Sequence, residues 1–97
     1  MFARVNTVTA EPAMVDRTIQ HAQEQIVPAL RKQKGFKRYL ALVDRKSGRA
    51  LAITFWDSEA DLRASEATGS QLRAQVAAEL KLNIVSVENY EVLLDQT

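Results

Sequence analysis

Phe36-Lys37-Arg38-Tyr39-Leu40-Ala41-Leu42-Val43-Asp44-Arg45-Lys46-Ser47-Gly48-Arg49-Ala50-Leu51-Ala52-Ile53-Thr54-Phe55-Trp56 is two strand-like runs joined by a polar turn. Phe36 to Val43 and Ala50 to Trp56 are aliphatic and aromatic. The connection between them is charged and carries Gly48 near its end, the usual chemistry of a four- or five-residue hairpin loop. Pairing symmetric about that loop puts Leu40, Leu42, Leu51, Ile53 and Phe55 on one face. The other face then carries Tyr39, Ala41, Val43, Ala50, Ala52, Thr54 and Trp56. Both faces are apolar, whereas a sheet with one wet face alternates more cleanly, so each side needs a cover.

Working outward, Phe2 to Thr9 is rich in Val and Thr and reads as a strand. Pro12 suits the first position of a helix, where its missing N–H costs nothing. Val15, Ile19, Ala22, Ile26 and Leu30 then recur at helical spacing. Pro28 cannot donate to the carbonyl of Glu24, which predicts a kink or a fresh turn there. Gly35 closes the element behind Arg31, Lys32 and Lys34, cations suited to a helix C-terminus. Beyond the hairpin, Ser58 and Asp61 have capping-box spacing and predict a helix start. Thr68-Gly69-Ser70 predicts a break, with Thr68 and Gln71 as a second capping box, before a piece in which Leu72, Val76 and Leu80 share a face. Ile84 to Leu94 reads as a fourth strand.

The order β-α-β-β-α-β is that of an α+β ferredoxin-like plait, one domain over residues 1–97. Two helices cover only one side of such a sheet. The apolar other side exceeds what a monomer exposes, and a two-fold related copy laid sheet to sheet would hide it, which predicts a homodimer.

Composition sets limits on function. Apolar residues make up 46% of the 97 and charged ones 26%, with 13 basic against 12 acidic residues and a net charge of +1. That balance offers nucleic acid or an anionic membrane no electrostatic hold. The absence of cysteine excludes disulfides, thiolate catalysis and cysteine–metal sites and agrees with a cytoplasmic location. No signal peptide and no 18-residue apolar run is expected. Gly-rich phosphate loops, nucleophile elbows and Walker-type motifs are missing.

Three motifs carry a resemblance to a known family: Gly35-Phe36 opening the second strand, Ala52 to Leu62 with Trp56-Asp57-Ser58 before a capped helix, and Val85-Ser86-Val87-Glu88-Asn89-Tyr90-Glu91-Val92. Together they resemble the antibiotic-biosynthesis-monooxygenase-like domains of the dimeric α+β barrel superfamily, over nearly the whole chain. Members include cofactor-free quinol oxygenases, haem-degrading enzymes and isomerase-like proteins. Asn6 falls where the haem-degrading members carry an Asn. Those members also need a Trp and a His on the second helix, and Ser65 to Gln75 holds neither. The resemblance therefore implies neither haem nor any other cofactor here.

The candidate residues follow. His21 is the only histidine and the natural general base near neutral pH, although its helical position flanks the apolar stripe. A lone His without Cys is a poor metal site, and no metal is expected. Tyr39 and Trp56 frame a face of small residues, which leaves room for a flat organic ligand or, alternatively, lets two sheets approach closely. Arg4 and Arg38 suit a ligand carboxylate or phenolate, or ion pairing at a dimer rim. Arg45 and Lys46 read as a solvated hairpin tip; Glu59, Asp61 and Glu66 read as helix-start carboxylates, not paired catalytic acids.

The leading expectation is a cofactor-independent monooxygenase acting on a small aromatic or quinol-like molecule. Asn6 and His21 (or a water in its place) would serve the chemistry, and Tyr39, Thr54 and Trp56 would bind the substrate. The alternatives are a non-catalytic dimeric small-molecule-binding or stress-related module, and an isomerase-like enzyme needing a titrating group in its cavity.

Overall fold

The computed structural model describes residues 1–97. Its strands are β1 (Phe2–Thr9), β2 (Phe36–Asp44), β3 (Arg49–Trp56) and β4 (Asn83–Glu91), forming one antiparallel sheet in the order β2-β3-β1-β4. Helical segments α1 (Val15–His21) and α2 (Val27–Arg31) lie between β1 and β2, and α3 (Glu59–Ala64) and α4 (Glu66–Leu80) between β3 and β4. This is the ferredoxin-like plait.

The hairpin register sorts the side chains as alternation requires. Tyr39 pairs with Thr54, Ala41 with Ala52 and Val43 with Ala50, while Leu40 pairs with Ile53 and Leu42 with Leu51. Gly48 closes the turn at φ +78°, a conformation that costs glycine nothing. Its carbonyl accepts a 2.9 Å bond from the N–H of Ala10, which ties the hairpin tip to the loop after β1. At the same tip Arg45 forms an exposed two-point bond to Asp16, at 2.8 and 3.2 Å, and is not merely solvated.

Pro28 leaves its mark one turn early. Between α1 and α2, Ala22–Ile26 forms a π turn in which the Val27 N–H reaches the carbonyl of Ala22. The helix shifts its hydrogen-bond spacing ahead of the proline that cannot donate, and continues to Arg31.

Two boundaries differ from the sequence reading. The second helical region breaks at Ser65, not at Thr68-Gly69-Ser70, and Gly69 lies buried inside α4. Thr68 and Gln71 are therefore helix-interior residues and form no capping box. Ser58 does cap α3, its hydroxyl accepting from the Asp61 N–H at 3.1 Å. The fourth strand stops at Glu91; its last ladder-like bond runs from the Val92 N–H to the Met1 carbonyl at 2.9 Å, and Leu93 and Leu94 stand exposed beyond β1's reach.

Both helical layers pack on the sheet face carrying Trp56, which is wholly buried against Leu30 and Leu62 and meets the Phe36 ring edge-on at 5.5 Å. A second cluster, Val76, Leu80 and Leu82, closes the far end of the layer. No helix packs on the opposite face, where Leu40, Leu42, Leu51, Ile53 and Phe55 lie together, with Leu42 about half exposed at 48%.

Candidate functional site

Between the two core clusters the sheet and helices do not close completely. A cavity of about 100 Å³ remains, walled by Val8, Ile19, Ala22, Ile26, Leu72, Val76 and other apolar side chains. Its sheet wall is the strip of small residues Ala41, Ala50 and Ala52, with Tyr39 and Thr54 beside them. The small-residue face therefore lies under the helices and opens a cavity there; the alternative of close sheet-to-sheet packing would need it on the other side.

Polar groups enter the cavity wall at Arg4, Asn6, Thr18, Thr54 and Arg73. Arg4 projects from β1 beneath α3 and α4 and is 2% exposed. Its Nη1 donates to Ser65 Oγ at 3.1 Å, its Nη2 to the Leu62 carbonyl at 2.7 Å, and Nη2 also lies 2.9 Å from Glu66 Oε2. Burial pulls this guanidinium below its ordinary value; Glu66 works against that and Arg73 adds to it. Arg73 reaches back from α4 to donate to Asn6 Oδ1 at 3.3 Å and pairs with the other oxygen of Glu66. Asn6 in turn donates from Nδ2 to the Ala52 carbonyl at 2.9 Å, which fixes its oxygen toward Arg73. Glu66 thus bridges two guanidiniums.

Gly69 explains how two cations fit against one helix. A Cβ there would stand 3.3 Å from Nη1 of both Arg4 and Arg73, tighter than a methyl group normally allows. The glycine that resembles a helix breaker in sequence is instead the gap through which the guanidiniums approach.

The predicted site residues divide. Asn6, Tyr39 and Thr54 meet at the cavity. Trp56 lies outside the lining and reaches it only through Thr54, whose hydroxyl accepts the indole N–H at 2.9 Å and keeps its own proton to donate. His21 does not line the cavity; its Nδ1 is 3.8 Å from Glu79 Oε2, across from α4. Arg4 sits at the heart of the layer, not at a dimer rim, while Arg38 lies over the Phe55 ring at 5.9 Å. Burial pushes the Tyr39 phenol above its ordinary value.

Arg73 was not singled out from the sequence. The signal exists: Gly69, Arg73, Val76 and Leu80 recur in steps of four, three and four, placing Arg73 on the buried stripe of α4.

A wider vestibule of about 610 Å³ adjoins the cavity, between the first helical layer and the edge strand β2. Ile19, Ala22, Tyr39 and Ala41 line both spaces, and Arg31, Lys37 and Arg38 line the vestibule alone. A cavity of about 150 Å³ accommodates benzene, so an aromatic ligand, even one of a single ring, would extend past Tyr39 into the vestibule.

No group of three or more His, Asp or Glu side chains is placed to hold a metal ion, and no helix is long and apolar enough to cross a membrane.

Residues 1–77 match the family model described as antibiotic biosynthesis monooxygenase. The uncharacterized protein Rv2558 of Mycobacterium tuberculosis is 33% identical over 94 residues, 97% of this chain. The chain spans only 39% of that relative's length. Among solved structures, the haem-degrader MhuD of Mycobacterium tuberculosis, with two haems in its active site, superposes with a TM-score of 0.73 at 18% identity, covering 100% of both chains. The monooxygenase ActVA-Orf6 of Streptomyces coelicolor, in complex with nanaomycin D, superposes with a TM-score of 0.69 at 16% identity, covering 98% of this chain and 92% of that one. Likeness at these identities is likeness of fold. The residues here do not fit a haem held by a proximal histidine: α4 has no His, and His21 faces Glu79 outside the cavity.

Proposed function

Because the chain belongs to the antibiotic biosynthesis monooxygenase family, we propose that it is a cofactor-independent monooxygenase acting on a small aromatic or quinol-like molecule held between its sheet and its helices. One observation carries the reading: the cavity wall is mostly apolar, its only charged groups are Arg4 and Arg73, and it holds no carboxylate. Such a wall favours the ionised form of a bound phenol or quinol. The aryl oxide is the electron-rich form from which dioxygen can take electrons directly.

The balance is simple. One oxygen atom replaces a ring hydrogen, the other leaves as water, and the substrate supplies all four electrons, so that a quinol becomes a hydroxyquinone. In this reading Asn6 positions Arg73, Trp56 orients the Thr54 hydroxyl, and Tyr39 bounds the ring. The substrate proton leaves to water, because His21 stands outside the cavity. A dry apolar wall keeps the reduced oxygen species from escaping before it recombines with the ring.

The working form is taken to be a cytoplasmic homodimer in which the second protomer covers the outer face of the sheet. Oxygen uptake with a panel of hydroquinones and anthrones tests the activity. At least one should be consumed with one atom of labelled dioxygen entering the product, and uptake with none of them overturns the proposal.

A second reading, a non-catalytic small-molecule-binding module, is favoured by a separate fact. Tyr39 is the only lining group other than the two arginines that titrates, and its phenol is pushed upward, away from neutrality. That reading predicts ligand-induced thermal stabilisation without turnover. The same fact weighs against an isomerase-like enzyme, which would need an acid or base in the cavity.

A further inference from the structure

The cavity is not electrically balanced. Two guanidiniums line it, Arg4 and Arg73, and no acidic residue does. Their shared partner Glu66 is half exposed on the outer side of the pair, so the three groups leave one positive charge uncompensated. The network also leaves one donor spare. Nε of Arg4 is buried without a hydrogen-bond partner, the sole buried side-chain nitrogen or oxygen in that condition. Buried donors are almost always satisfied, so this N–H marks Arg4 as a guanidinium whose hydrogen bonding within the fold is incomplete.

We infer that the cavity is a receptor for a planar ring carrying a single delocalised oxyanion, received by the Arg4–Arg73 pair. The apolar walls and the small-residue strip at Ala41, Ala50 and Ala52 take the ring. Guanidinium geometry suits two oxygens that share one charge. Two kinds of molecule supply that chemistry: an arene carboxylate, and a 2-hydroxy-1,4-quinone, which is a vinylogous carboxylic acid and ionised at neutral pH. Identifying the second with the enzyme's own product rests on the monooxygenase reading above. On that reading the site binds product more tightly than the neutral quinone or the un-ionised quinol, and the reaction is product-inhibited.

Charge counting supplies the test. Binding of 2-hydroxy-1,4-naphthoquinone, 1,4-naphthoquinone and 4-hydroxybenzoate to the full chain is measured by titration calorimetry at neutral pH. The hydroxyquinone should bind at least about tenfold tighter than the neutral quinone of nearly the same shape. Arg73→Gln brings the site to zero net charge and should abolish the preference. Glu66→Gln brings it to two positive charges and should enlarge the preference. Damage to the fold would weaken both ligands alike in either variant, so opposite shifts in the ratio cannot come from that source. Equal affinity of the two quinones, or both variants moving the ratio the same way, overturns the inference. A tight 4-hydroxybenzoate with a weak hydroxyquinone identifies the carboxylate as the ligand and removes the product-inhibition part. Oxygen uptake without an anion preference would leave the activity standing and this inference fallen; anion preference without uptake would do the reverse.

Discussion

Arg4 sits on the central strand β1, beneath two helices, in a position where most sheets carry an aliphatic side chain. It is tolerated because the Leu62 carbonyl, the Ser65 hydroxyl and Glu66 all receive its hydrogen bonds. Arg4→Met should destabilise the fold by about 1–3 kcal/mol, the cost of losing hydrogen bonds to a charged donor. The loss stays below the roughly 3–5 kcal/mol of a broken, fully buried pair because Glu66 is half exposed and keeps Arg73. Urea unfolding measures it, and a change under about 0.5 kcal/mol would mean that the network is not structural. That Tyr39 and Thr54 share a face was legible beforehand, since strand alternation within the hairpin assigns it; that Asn6 joins them depends on the β1–β3 register, which only the structure gives. That Trp56 would reach the wall only through Thr54 was not legible either, because alternation says nothing about which neighbour an indole N–H will find.

Among the elements, starts were easier to read than breaks. Ser58 caps α3 because its side-chain oxygen meets an N–H that no earlier turn can satisfy, and this depends on local sequence only. Ser58→Ala should therefore cost about 1 kcal/mol, visible as a lowered Tm, and an unchanged melting curve would show that the cap is not what holds the start of α3. Gly69 went the other way. Its propensity penalty in a helix, about 1 kcal/mol relative to Ala, argues for a break. The penalty is outweighed by a contact made 65 residues away, where Arg4 needs the space that a side chain would fill. Pro28 perturbs the helix as its missing donor requires, in the form of a wide turn at Ala22–Ile26 that lies ahead of the proline and not at it.

For the whole molecule, the outer face of the sheet is the surface that the chain's own helices leave bare. Leu40, Leu42, Leu51 and Ile53 form two cross-strand pairs there with no helix above them. A stable interface needs roughly 800 Å² per partner, which a four-stranded sheet face can supply. Sedimentation at micromolar concentration should find a homodimer. Leu42→Glu, at a site about half exposed in the protomer, should weaken that dimer at least about tenfold while leaving the circular dichroism of the fold unchanged. A wild-type protein that sediments as a folded monomer would remove the dimer from the proposal.

By itself the sequence determined the plait, its strand faces and the location of its small-residue strip, because apolar periodicity and turn chemistry act over a few neighbouring residues. Only the tertiary structure decided what lies over the strip. It put helices over that face, gathered Arg4 from β1 with Glu66 and Arg73 from α4, and left His21 outside. Periodicity marks the face that a residue such as Arg73 occupies but not which group more than 60 residues away it meets, and the charge balance of a cavity is a property of the assembled wall alone.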